Sequence, residues 1–522
     1  MNFSDQRPAR AGFWGVLLLG VFAWAPAAYP GYWQGLEGFT PLYNAMHPQQ
    51  IAGIAAEADV WRGMGGASFI LVQPFLLLGF SPTAAVRAVF IITLILGGLG
   101  VYAWLLPRLG DRAAGLAGLV YMLLPPVLAT VYVRGSLSDA LILALLPMTL
   151  AAIAAYAEGE SLAAAGIAVI AIIWMWRTQA GLALFASAML LLYALLVERH
   201  RWAALVAAGG GAAGLVSLIP LWSIRAGPAE NFFDHFVYLF QLFGNGWETA
   251  PSIPGWQDRF PFQLGFAALA FSLMTLWFWL RMPDRGRRMD ARRLLAFSFI
   301  GAFIIIALSL TVSAPLWRIP GASRLLTYPW QIILVATPLL AATAGALPAV
   351  SKPLAKAPYW PVLMGLAILA SYPYLSADFT QAQPPDRPYA VLSEFSDIVL
   401  LEADLTETTD PPAAELAVTW QTRHLLDADY NIFFQALAQV DGEWQVVAQL
   451  DAQPLGDERP ATFWRPGEIL ANTYHLDLTD AAGQVDLENS RLRYYFGYYD
   501  WQTGERLPVD GGIDDKLVFY GR

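Results

Sequence analysis

Uncharged, apolar runs recur along the first 376 positions of this 522-residue chain, and they restrict its fold more than any other feature. The hydrocarbon core of a bilayer takes about 20 mostly apolar residues per helix. Such runs lie near 11–28, 83–106, 113–132, 139–157, 162–177, 178–197, 202–223, 263–281, 294–313, 328–348 and 358–376. They predict an α-helical polytopic membrane bundle of about 11 transmembrane helices over residues 1–376. The segment 67–80 is apolar but short, which suits a re-entrant or interfacial helix better than a span. Charged residues make up 14% of the chain, against about a quarter in a soluble domain, so composition agrees.

Basic residues then orient the bundle. With the N-terminus cytoplasmic, the inward loops hold Arg7, Arg10, Arg108, Arg112, Arg199, Arg201, Lys352, Lys356 and a cluster from Arg281 to Arg293. Fourteen basic residues fall inward and eight outward, and the inward loops are shorter, so the N-in, C-out arrangement is expected. The first run also has signal-peptide traits: a basic start, an apolar centre and the small residues APAA at 25–28. Two outward loops are long, 29–82 and 225–262, and both are rich in aromatics. They read either as an interfacial belt or as lids over an outward-facing cavity.

From Glu402 the helical period gives way to alternation. LAVTWQT (416–422), YNIFFQALAQV (430–440), WQVVAQL (444–450), YHLDL (474–478) and LRYYFGYYD (492–500) are separated by turn signals such as Asp441-Gly442 and Pro466-Gly467. Short strands at that spacing predict an antiparallel all-β sandwich at 401–522, beyond a Pro-rich linker at 377–400. Placed after the last span, this domain is extracytoplasmic. Its exposed aromatics, among Trp464, Tyr498 and Trp501, suggest a carbohydrate-contacting surface, with a purely structural cap as the alternative. The net charge of −10 sits largely in this tail and excludes nucleic acid as a partner, since phosphate neutralisation needs a basic face. Cysteine is absent, which removes disulfides, thiolate metal sites and cysteine nucleophiles.

Charge near the ends of membrane helices is costly and points to function. Arg134 and Asp139 lie in YVRGSLSDA at the start of the fourth span. An arginine there can hold a phosphate through paired hydrogen bonds, and Asp139 can orient it or coordinate a divalent cation. Alternatively, Ser138 or Asp139 caps the helix and the pair is a local ion pair. Arg318, Arg324 and the Tyr328-Pro329-Trp330-Gln331 segment precede the tenth span and could add to the same anionic site. In the first outward loop His47, Glu57, Asp59 and Arg62 are the acid–base candidates. Glu57 and Asp59 sit two apart, so on a helix only one could face an acceptor hydroxyl. Asp234, His235, Glu248 and Asp258 hold the same status in the second loop.

GGASFILVQPF (65–75), LVYMLLPPVLATVYVRGSLSDALILALLPMTL (119–150) and LLTYPWQIILVATPLLAATAGAL (325–347), in that order after a long first loop, resemble the bacterial membrane family named 6-pyruvoyl-tetrahydropterin synthase-related. That family looks like the GT-C superfamily of polytopic glycosyltransferases. The most specific piece is Tyr132, Arg134, Gly135, Ser136 and Asp139. The β-rich tail likewise resembles a module often appended to such proteins. The resemblance implies a polyprenyl-phosphate-linked sugar donor, an active site on the outer face and an Asp or Glu of the first outward loop as base, here Glu57 or Asp59. Arg134 and Arg324 would then bind phosphate, with a glycan or envelope protein as acceptor. Two positions depart from the pattern: the stretch Pro41–Met46 before His47 holds no carboxylate, and Gln331 stands where the family has arginine. Both changes favour the alternative of a degenerate relative that binds lipid-linked glycans or assists envelope assembly without chemistry. A transporter is the third reading, weakened by the absence of a visible internal repeat.

Overall fold

The computed structural model describes residues 10–46, 66–219, 232–281, 288–379, 392–422, 426–456, 459–464, 469–482 and 491–521, apart from 34, 38, 245, 250, 251, 378, 427 and 441. The chain divides into two compact units. One comprises Met1–Leu36 and Pro48–Ala382 and is helical; the other comprises Glu37–His47 and Gln383–Arg522 and is largely β.

Among the described residues of the helical unit, five helices are long and apolar enough to cross a bilayer: Ala11–Ala28, Pro82–Leu109, Leu137–Gly159, Ala180–Glu198 and Pro329–Val350. Asp111–Met122 and Pro125–Tyr132 make a sixth if counted as one span bent by 41°. The bend follows from Pro125, because the residue before a proline is driven out of the helical region and Leu124 is extended (ψ 130°). Four other runs read from the sequence form shorter helices. Leu162–Thr178, Arg201–Val216, Phe266–Trp279 and Trp360–Ser371 have 17, 16, 14 and 12 residues. Arg288–Ala307 carries Asp290, Arg292 and Arg293 in its first turns. Eleven apolar runs therefore give five or six helices of full spanning length. Residues 66–77 form a 3-10 turn followed by a single α-helical turn, Gln73–Leu77, so this segment is helical and short, as read.

Glycines set the closeness of the helical packing. A Cβ on Gly97, Gly98 or Gly100 of Pro82–Leu109 would lie 2.5–2.8 Å from Tyr121, Met122 or the Met148 backbone nitrogen. A Cβ on Gly115 would reach Gly12 Cα at 2.4 Å, and one on Gly345 would meet Ala117. Small residues at such positions let backbones approach where apolar burial gives no drive between helices. Polar clasps add direction. Asp111 accepts from Gly12 N (2.7 Å) and from the Tyr102 hydroxyl (2.8 Å), and Arg108 pairs with the buried Glu198 at 2.5 Å.

The β unit has two four-stranded antiparallel sheets among its described residues. Strands β1 (Ser393–Phe395), β2 (Ile398–Thr409), β3 (Pro412–Thr422) and β6 (Leu470–Asp477) form one, in the order β1-β2-β3-β6. β4 (Tyr430–Val440), β5 (Glu443–Ala452), β7 (Arg493–Asp500) and β8 (Leu517–Tyr520) form the other, in the order β5-β4-β7-β8. Alternate residues of both sheets meet in one core that includes Leu416, Trp420, Phe434, Tyr474 and Phe496. β1 and β2 begin within the stretch read as linker. Trp464 and Tyr498, read as exposed, are fully buried in that core, because each lies on its inward side; Trp501 is exposed. The unit also takes up a helix from the first long loop, Thr40–Met46. There Leu42 and Ala45 are buried, and the Thr40 hydroxyl accepts from Ile469 N at 2.8 Å.

Candidate functional site

The Tyr132–Asp139 motif is a tight connection between two helices. Gly135 adopts φ +65°, a left-handed conformation that glycine enters without the Cβ penalty. The turn lets Ser136 cap helix Leu137–Gly159, its hydroxyl accepting from Asp139 N at 3.4 Å. Asp139 in the first turn is also favoured by the helix dipole. The start of the first long loop docks along the motif: Trp33 Nε1 donates to Val131 O (2.8 Å) and Leu36 N to Val133 O (2.9 Å). Gly35 allows this approach, since a Cβ there would lie 2.7–2.8 Å from backbone atoms of Arg134 and Gly135. The Tyr132 hydroxyl donates to Ala23 O at 2.6 Å.

The Arg134 and Asp139 side chains are ion-paired and almost wholly buried. One carboxylate oxygen, Asp139 Oδ1, is buried without a hydrogen-bond partner among the described residues. Beyond the pair stands an aromatic wall. The Arg134 guanidinium lies 5.3 Å from the Trp330 ring centre. Trp330 stacks with Tyr328 (5.3 Å, 9°) and with Phe260 (4.4 Å, 29°), with Phe262 edge-on. Thr130, Arg134, Phe260, Phe262, Trp330 and Leu334 line a shallow, open recess here. A buried cation on an otherwise apolar wall can receive an anionic head group while the rings take an attached hydrocarbon.

A second cluster stands behind the wall, in the second long loop. Ser252 Oγ donates to Asp258 Oδ2 (2.6 Å) and is hydrogen-bonded to His235 Nδ1 (2.9 Å). Asp258 Oδ1 accepts from Phe260 N at 2.9 Å, which fixes the backbone that presents the Phe260 ring to the recess. Burial pushes the Asp258 carboxyl up to about 6, against the pull of these hydrogen bonds, and pushes the His235 imidazole down to about 4. The His235 ring meets Tyr328 edge-on at 4.8 Å. Side chains therefore run in contact from Asp258 through Ser252, His235, Tyr328 and Trp330 to Arg134.

Of the residues singled out in the sequence, Arg134, Asp139 and Trp330 come together. Arg318 and Arg324 are exposed, on and beside short helical turns, and do not line the recess. His47, Glu57, Asp59 and Arg62 lie outside the described residues. Gln331 is fully buried and structural: its Oε1 accepts from Thr327 N (3.0 Å) and Tyr328 N (3.1 Å), so it holds the turn that carries Trp330. The parts not foreseen are Ser252, Phe260 and Phe262. Only the aromatic richness of the second loop hinted at them. Among the described residues no group of three or more His, Asp or Glu is placed to hold a metal ion. No family model matches the chain, and no curated protein matches it.

Proposed function

We propose that this is an integral membrane protein whose helical unit binds a polyprenyl-phosphate-linked sugar at Arg134 and acts as a GT-C-like glycosyltransferase. In this reading the eleven apolar runs all lie within the bilayer, the shorter ones reaching across with their flanking turns. The N-terminus is cytoplasmic, and the β unit and both long loops are extracytoplasmic.

The observation that carries the proposal is the buried Arg134–Asp139 pair on an aromatic wall. A buried ion pair adds little net stability, because desolvation offsets its attraction. Its value is better sought in what the arginine can bind. A guanidinium is a rigid fork of N–H donors that matches the oxygens of a phosphate, and Arg134 brings that fork to the recess beside Asp139. Trp330, Phe260 and Phe262 would hold the first isoprene units beside it. Glu57 or Asp59 of the first loop would remove the acceptor proton.

The probe is farnesyl phosphate against farnesol, titrated by intrinsic tryptophan fluorescence on the purified protein. Farnesyl phosphate should bind at least tenfold more tightly, and Arg134→Lys, which keeps the charge but loses the fork, should remove most of the difference. Equal binding of the two ligands would overturn the proposal.

A second reading is favoured by one specific observation: Asp139, the carboxylate beside Arg134, is engaged by it. On that reading the protein holds the lipid-linked sugar without transferring it. Farnesyl phosphate binding that depends on Arg134, with no transfer activity and no effect of Glu57→Gln or Asp59→Asn, separates it from the first.

A further inference from the structure

The outward face of the β5-β4-β7-β8 sheet has an unusual composition. Ile432, Phe434, Tyr494 and Phe496 point into the core, so their strand neighbours Phe433, Gln435, Arg493 and Tyr495 point away from it. The register sets Gln435 opposite both Tyr495 and Gln449, and Arg493 opposite Tyr520. Three cations lie over rings on this one face. Arg493 sits 4.0 Å from the Trp444 ring centre and 5.7 Å from that of Tyr520. Arg506 sits 4.5 Å from Phe433, and Lys516 4.9 Å from Tyr495.

The absence of a side chain at Gly497 makes the strip continuous. A Cβ there would lie 2.6 Å from the Phe433 ring, so glycine lets that ring lie flat along the sheet under Arg506. Lys516 is shared with Asp514 at 3.5 Å. Arg493 and Arg506 have no carboxylate partner among the described residues. A guanidinium stacked on a ring keeps its N–H edge free for a planar anion, which is the geometry of bidentate carboxylate recognition.

We propose that this face binds an acidic polysaccharide, a chain of sugars bearing carboxylates, with Arg493 and Arg506 as its anion contacts. The rings of Trp444, Tyr495 and Tyr520 offer flat apolar surface to sugar C–H faces, and the hydrogen-bonded amides of Gln435 and Gln449 (2.9 Å) offer partners to hydroxyls. Arg493 and Tyr499, which bridges to Arg506, lie six residues apart on one strand, so the two arginines mark a strip of about 20 Å. A linear polymer fits that strip better than a single small anion. The charge argument is specific to the two arginines: Asp451, opposite Phe433, is hydrogen-bonded to Gln449 and Asp514 is taken by Lys516, which leaves the Arg493 and Arg506 guanidiniums to select for an anion. A bilayer is the less suitable occupant, because amides and ring-capped cations interrupt the apolar surface.

The test is calorimetric titration of the full-length protein in phosphatidylcholine nanodiscs with polygalacturonate and, separately, with neutral dextran. Polygalacturonate should bind and dextran should not. Arg493→Gln and Arg506→Gln should each weaken binding about tenfold, the loss expected for one charge-assisted contact. Arg506 is exposed and outside the strands, so its substitution leaves the sheet intact and the test does not depend on Arg493 alone. No polygalacturonate binding, equal binding of dextran, or affinity unchanged in both variants overturns the proposal. Arginine-dependent binding to phosphatidylglycerol vesicles with none to polygalacturonate overturns it in favour of a lipid surface.

Discussion

At the scale of single residues, the Arg134–Asp139 pair is the feature whose removal should be felt most. Arg134→Gln leaves a buried carboxylate without its partner, at a cost of about 3–5 kcal/mol. The double variant Arg134→Met/Asp139→Leu should cost clearly less than the sum of the two single losses, as read from thermal melting in detergent. Additive losses would mean that the two side chains act independently. Gly35→Val should also be damaging, because the atoms its Cβ would strike are backbone atoms of Arg134 and Gly135. Both stability and farnesyl phosphate binding should fall, the first by about 1–3 kcal/mol. The His235–Ser252–Asp258 cluster yields a pH prediction. Asp258 titrates near 6 in the folded loop and 3.8 when free, so the folded loop binds the extra proton between those values and this group's contribution falls as pH rises. His235 titrates near 4 folded and 6.5 free, so the open loop binds the extra proton and stability rises with pH. The slopes oppose each other from about 4 to 6. Hydrogen-exchange protection of residues 232–262, corrected for intrinsic rates, should be nearly flat there in the native protein. It should drop on acidification in Asp258→Asn and rise in His235→Gln. Arg134 and Asp139 were legible in the sequence because charge in a span is rare. Ser252 was not, since nothing local distinguishes a serine that bridges two elements from one facing solvent. The job of Gln331 as a turn staple was not legible, because it depends on two backbone amides that spacing does not reveal.

At the scale of elements, hydropathy located nearly every helix but overstated how many reach full spanning length. The run at 263–281 is helical, yet Gly265, at φ +91°, delays the regular helix to Phe266. Periodicity does not register such breaks inside an apolar run. The strands show the converse. β3 to β7 were visible through alternation and aromatic content, whereas β1 and β2 start in a segment whose prolines mark a linker, and β8 has only four residues. The close crossing of Pro82–Leu109 with Leu137–Gly159 gives a prediction of its own. At Gly100 a Cβ would stand 2.8 Å from Met148 N, so Gly100→Leu should destabilise the bundle by about 1–3 kcal/mol. Gly166, whose Cβ would meet nothing within 4 Å, is the control, and Gly166→Leu should leave the melting temperature almost unchanged.

At the scale of the whole molecule, the two units are not consecutive in sequence. Residues 37–47 were read as part of an outward loop of the bundle, and their membership of the β unit was invisible because it depends on strands more than 340 positions away. Leu42→Asp places a charge at a fully buried position, which costs several kcal/mol unless the charge is paired. Trypsin should then cut the β unit of the full-length protein at much lower dose than in the native chain, and unchanged resistance would rule out a structural role for the segment. The same arrangement has a consequence in time. Thr40 and Ile469 are 429 residues apart, and a ribosome adds about 5–20 residues per second. The helix that completes the β unit therefore leaves the ribosome on the order of 20 to 90 s before the strand it binds. Throughout that interval it is a vacant apolar segment that a chaperone could hold, and its late capture makes β-unit assembly a closing step of biogenesis.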